Sequence, residues 1–89
     1  MAIANQGFNR WEAITPSDTV NFDGSTGIGP TVATCDAIFV GGAGVVVAVQ
    51  SNGRAVAFTA AVGEILPLQA IRVNSTSTAA TLLVALFQN

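Results

Sequence analysis

The 89-residue chain has no lysine, no histidine and no tyrosine, and its only cysteine is Cys35. Each absence removes a class of function. Nucleophilic catalysis in its common form pairs Ser or Cys with a histidine base, and that route is closed here. Nucleic-acid binding through the phosphate backbone needs clustered positive charge. The only cations are Arg10, Arg54 and Arg72, widely spaced in a chain of net charge −2, so no direct nucleic-acid partner is expected. A lone cysteine cannot close an intramolecular disulfide, and zinc wants several Cys or His ligands. Cys35 therefore reads as a small, semi-buried residue.

Long apolar runs are missing too. A membrane-spanning helix needs about 18 or more uninterrupted apolar residues, and no window supplies them. Met1 to Arg10 has neither the basic start nor the apolar core of a signal peptide, and no membrane partner is expected. The five carboxylates, Glu12, Asp18, Asp23, Asp36 and Glu64, show no calcium-loop spacing. Asp18 and Asp23 lie in turn-like sequence, where such side chains bond nearby amides. No catalytic residue, metal or cofactor is expected, and the chain reads as a non-enzyme.

What is present is apolar surface. Hydrophobic residues make up 51% of the chain and charged residues only 9%, with a mean hydropathy of +0.58. Ordinary domains carry roughly 25% charged residues. A single domain this small buries only about 60% of the surface its unfolded chain exposes. The excess apolar surface predicts contact with other protein.

Ala37 to Thr59 organises the rest. Gly41, Gly42 and Gly44 mark one reversal, and Asn52-Gly53 predicts a two-residue hairpin turn with both residues at φ > 0. Val45 to Val49 between them is too short and too β-branched for a helix. The Asn52-Gly53 register pairs Val49 with Val56 and Ala48 with Ala57, and a turn at Gly41–Gly44 pairs Val40 with Val45. One face then carries Ile38, Val40, Val45, Val47, Val49, Val56 and Phe58. The other carries Phe39, Val46, Ala48, Ala55, Ala57 and Thr59. A half-exposed sheet shows a polar face; here both faces are apolar. Phe39, Val46, Ala48, Ala55 and Ala57 are thus expected to pack on a neighbouring protomer or a second sheet. Because a small domain covers about one such face, a homotrimer or homopentamer is expected.

Around this stretch, residues 1–15 read as an N-terminal arm and residues 16–89 as a single β-domain. The arm has no steady period but carries Phe8, Arg10 and Trp11. Trp and Arg are enriched among interface anchors, so these three are candidate contacts to a neighbour or a larger particle, against the plainer reading of an arm folded back on its own domain. Thr19 to Phe22 reads as a short strand, and Asp23 to Pro30 as a loop whose glycines lack the Lys-Ser/Thr ending of a phosphate-binding loop. Arg72 lies on the polar side of Leu68 to Asn74 and is a candidate carboxylate-gripping contact. Ala79 to Phe87 reads as a strand paired with Leu68 to Asn74 through a turn at Ser75 to Thr78. The total is an all-β fold: a small antiparallel β-sandwich or barrel of six to eight short strands.

Four segments in order carry a resemblance: Ile14-Thr15-Pro16-Ser17-Asp18, Phe39-Val40-Gly41-Gly42-Ala43-Gly44, Gly63-Glu64-Ile65-Leu66-Pro67-Leu68, and Ile71-Arg72-Val73-Asn74-Ser75-Thr76. Together they resemble the small head spike base, or head decoration, proteins of tailed bacteriophages and gene transfer agents. The chain departs from that family at Val45, where a polar residue often follows the turn, and the arm before Ile14 has no clear counterpart. The resemblance implies a virion protein on the capsid exterior, made in the bacterial host cytoplasm. It also implies the major capsid protein as a partner, with a head fibre protein as a further one. Two other functions compete: a glycan-binding module using Phe8 and Trp11 beside Asn5, Gln6 and Asn9, and a small hydrolase built on a carboxylate pair.

Overall fold

Short runs rich in Val, Ile, Leu and Phe suit a pleated, largely buried surface, and those runs form the strands. The structure is a computed structural model that describes residues 8–88. Its seven strands are β1 (Arg10–Ala13), β2 (Ala37–Gly42), β3 (Gly44–Val49), β4 (Ala55–Ala60), β5 (Ile65–Leu66), β6 (Arg72–Val73) and β7 (Thr81–Phe87). They make two antiparallel sheets, one ordered β1-β7-β2-β5 and the other β4-β3-β6. The fold is an all-β sandwich, as the short strands and frequent turns predict.

The core lies between the sheets. Ile38, Val40, Leu66, Leu83, Ala85 and Phe87 enter it from the four-stranded sheet, and Val46, Ala48, Ala60 and Val73 from the other. Cys35 is fully buried, with its thiol directed at the Leu68 carbonyl at 3.3 Å, and burial raises its pKa.

Three expected pairings are corrected. First, β2 and β3 do not form a hairpin. Ala43 carries the chain from one sheet to the other, so β2 pairs with β7 and β5 while β3 pairs with β4 and β6. Gly44 makes this corner: its φ is +149°, and an added Cβ would sit 2.8 Å from the Ala80 amide nitrogen. Second, the β3–β4 loop holds three residues, not two. The Gly53 amide donates to the Gln50 carbonyl and the Gln50 amide to the Arg54 carbonyl, each at 2.8 Å. This is a tight turn followed by a left-handed glycine, with Gly53 at φ +90°. The extra residue shifts the register by one, pairing Val46 with Phe58, Val47 with Ala57, and Ala48 with Val56. A one-residue slip reassigns every face of one strand relative to the other. Third, β7 does not pair with 68–74. It sits between β1 and β2, and the segment after β6 runs along β3 instead, with the Asn74 amide bonded to the Val47 carbonyl at 2.9 Å.

Residues 14–36 contain no strand, contrary to the expected one at 19–22. Side-chain bonds fix this long segment. Buried Asn21 donates to the Gly27 carbonyl at 2.7 Å and the Ser25 hydroxyl at 3.0 Å, and accepts from the Arg72 guanidinium at 2.9 Å. Ser17 Oγ accepts the Thr19 and Val20 amides, and Asp23 accepts from Ser25 and Ala33. Asp18 reaches across the chain to accept the amide and hydroxyl of Thr76 at 2.9 and 2.5 Å. Those bonds favour ionised carboxylates: the Thr76 hydroxyl chiefly lowers the Asp18 pKa, and the Ser25 hydroxyl that of Asp23.

Candidate docking face

Antiparallel partners share a face of the sheet. On the outer side of the four-stranded sheet, Trp11 therefore lies level with Leu86 and Ala37. The next row holds Ala13, Val84, Phe39 and Ile65. Beyond it Leu82 stands beside Gly41. No charged side chain occurs in these rows, and the Trp11 indole is their one hydrogen-bonding group. Leu82 is 77% exposed, Trp11 68% and Ile65 50%, whereas Leu86 and Ala37 are buried. The result is an apolar surface open at Trp11, Ile65 and Leu82, with Phe39 and Val84 half-buried between the open positions and the core.

Leu82 is held there at a conformational cost. Its φ is +54°, left-handed backbone that costs an ordinary L residue roughly 1–2 kcal/mol. Gly41 permits it, because an added Cβ would lie 2.7 Å from Leu82 Cβ and 2.8 Å from its carbonyl oxygen. Gly41 and Gly42 are thus strand residues that make room for β7, and not turn residues.

The structure redistributes the residues expected at interfaces. Phe39 and Trp11 share the outer face of the four-stranded sheet, a pairing the sequence reading did not make. Val46 and Ala48 do not join them: both face the sandwich interior. Ala55 and Ala57 lie on the opposite side of β4, exposed. The five therefore do not form one face: the sheet change at Ala43 separates Phe39, and the register slip separates Ala55 and Ala57 from Val46 and Ala48. Arg72 is half-buried and bonded to Asn21 and Asn74. Arg10 pairs with Glu12 and stacks over the Phe87 ring at 3.8 Å. The Trp11 indole donates to the Phe8 carbonyl at 2.9 Å. Residues 10–13, expected in an arm outside the β-domain, are an edge strand within it, because β7 offers a ladder that no other strand occupies. Asn5 and Gln6 lie outside the described residues.

The carboxylates are spread over the molecule. Asp36 accepts the Gln88 amide at 2.6 Å, tying the end of the chain to the start of β2, and Glu64 accepts the Ala61 amide at 2.9 Å within its own turn. Among the described residues no three Asp, Glu, Cys or His side chains cluster to hold a metal ion. Ile65 and Leu82 were missed as surface residues. Alternation alone assigns each to a face without saying which face is bare.

No family model matches the chain, and no curated protein matches it. Among solved structures it is similar to a chain in the capsid of a native gene transfer agent (GTA) particle, computed with C5 symmetry. The TM-score is 0.75 at 29% identity, over 97% of this chain and 90% of the other.

Proposed function

We propose that this protein is a structural, non-enzymatic component of a phage-like particle, located on the virion and decorating or cementing its capsid head. The bare apolar face around Trp11, Phe39, Ile65 and Leu82 carries the reading. A patch of that kind on a small domain marks a protein interface. The likeness to a gene transfer agent capsid chain supplies the setting. In this reading the face docks on the major capsid protein, and Ile65 and Leu82 act as the buried anchors that dominate such contacts. Symmetric self-association into a trimer or pentamer multiplies the attachment, since linked weak contacts gain avidity without any new contact. A head spike base, carrying a fibre on its distal side, is the specific role that fits.

Co-sedimentation with purified heads lacking this protein tests the docking. The wild type is expected to pellet with heads. Leu82→Asp combined with Ile65→Asp is expected to keep the wild-type circular dichroism spectrum and remain in the supernatant. Equal pelleting of the double variant overturns the assignment of this face.

A further inference from the structure

The sandwich has four sheet edges, and they are not equally protected. β5 and β6 are two residues long, and Pro67 follows β5. β1 is four residues long and carries Arg10 and Glu12. β4 runs six residues, Ala55-Val56-Ala57-Phe58-Thr59-Ala60, with no charge and no proline. Natural proteins blunt their edges with short strands, charges, prolines or bulges, because open backbone groups template the addition of another strand. β4 has none of these devices.

The backbone groups on offer are identifiable. The Gln50 amide bonds the Arg54 carbonyl, and ladder bonds alternate along an antiparallel pair. Arg54, Val56, Phe58 and Ala60 therefore bond to β3, while Ala55, Ala57 and Thr59 point their N–H and C=O groups into solvent. On β1, the Ile14 amide bonds the Leu83 carbonyl, so by the same alternation Trp11 and Ala13 point outward.

These two edges lie on opposite flanks. Segment 17–22 links β1's flank to β6, through Ser17 to Val73 and Phe22 to Ile71 backbone bonds. Residues 67–70 follow β5 and line a groove with Val56 and Phe58 of β4. The flanks also differ in charge. Arg10, Glu12 and Asp23 line β1's side, two carboxylates against one guanidinium. Arg54 opens β4, and among the described residues its guanidinium has no partner, whereas Arg10 and Arg72 are engaged.

We infer that β4 docks a second copy of this chain, whose β1 adds to it antiparallel and head to tail. Matching the outward backbone groups sets Ala57 opposite Trp11 and Ala55 opposite Ala13. The indole then lies on a stripe of small side chains. Arg54 and Glu12 fall on one face as diagonal neighbours, about 7–8 Å apart at the backbone and within reach of long side chains. A contact between opposite flanks is heterologous and can close into a ring. Four paired residues and one tryptophan make a small interface, in the transient class below about 1,200 Å². This deepens the self-association proposed above and rests on that reading.

Sedimentation velocity of the isolated protein over a concentration series tests it separately from head binding. The wild type is expected to associate beyond a monomer. Ala57→Pro removes an outward donor without touching the β3 ladder, and Ala57→Lys places a charge on the edge. Both are expected to sediment as monomers with the wild-type spectrum. Arg54→Glu and Glu12→Arg are each expected to weaken association roughly fivefold, and their combination to restore it. The Leu82→Asp, Ile65→Asp variant is expected to associate normally while failing to bind heads. A monomeric wild type, undiminished association of both Ala57 variants, or no restoration by the charge swap overturns the inference. A particle that stops at two copies and ignores Glu12→Arg means that β4 pairs with β4.

Discussion

β3 and β7 are written in nearly the same residues, GVVVAV and TLLVALF, yet they end in different surroundings. Both outer-facing valines in the second half of β3, Val47 and Val49, are buried. Arg72, paired beside Val49, extends to Asn21 and ties segment 17–27 to this side of the sheet. Its aliphatic stem covers apolar surface while its head reaches a polar partner. Among the described residues no equivalent Arg–Asn latch crosses β7, whose outer residues run from buried Leu86 to the most exposed leucine, Leu82. Hydropathy does not separate the two strands. A polar tie from a distant loop covers the second half of β3, and the Leu82 end of β7 stays open.

The largest expected effect contrasts neighbours on one strand. Ile38 faces the core and Phe39 the bare surface. Ile38→Ala removes a fully buried side chain and is expected to cost about 2–5 kcal/mol. For a domain of this size that lowers the melting temperature by roughly 8–40 °C. Phe39→Ala is expected to cost under about 1 kcal/mol and yet reduce pelleting with heads. Thermal melts and co-sedimentation of the same two proteins give the contrast. Equal destabilisation would mean that the outer face is covered within the monomer.

The latch comes next. Arg72→Leu keeps the stem but leaves the carbonyl oxygen of buried Asn21 without its guanidinium partner. An orphaned buried acceptor costs about 1–3 kcal/mol. Denaturant unfolding is expected to show that loss, accompanied by faster amide exchange in 21–27. Unchanged exchange there would show that the segment is fixed by its own turns, and the comparison between β3 and β7 would lose its cause.

The strand runs and the two-sided apolar pattern were legible in the residues, and so was the sandwich. Register was not. Asn52-Gly53 fits both a two-residue and a three-residue loop, and only the observed bond from Gln50 to Arg54 distinguishes them. The sheet change at Ala43 was equally hidden, because Gly41, Gly42 and Gly44 suit a hairpin as well as a corner. Asp18 was read as a local partner and instead bonds Thr76, a contact between segments far apart in sequence. Trp11 stood out by type, as the single tryptophan in a polar stretch. Leu82 did not, because its exposure follows from a backbone angle that nothing in AATLLVALF announces.

The smallest effect on stability is expected at Leu82 itself, and it isolates docking from folding. Leu82→Gly removes a side chain that is 77% exposed, so little burial is lost. Glycine adopts φ +54° freely, which relieves roughly 1–2 kcal/mol of backbone cost. Its greater freedom in the unfolded chain offsets about 0.5–1 kcal/mol of that. The net change is about 0–1.5 kcal/mol in favour of the folded state. Head binding should fall sharply, because the projecting anchor is gone. A variant as stable as the wild type, or more so, that no longer pellets with heads would show that the strain at Leu82 serves the contact. A clear loss of stability would show instead that Leu82 packs against Ile14 and Pro16, which line the cleft beside it, and that this part of the face belongs to the fold.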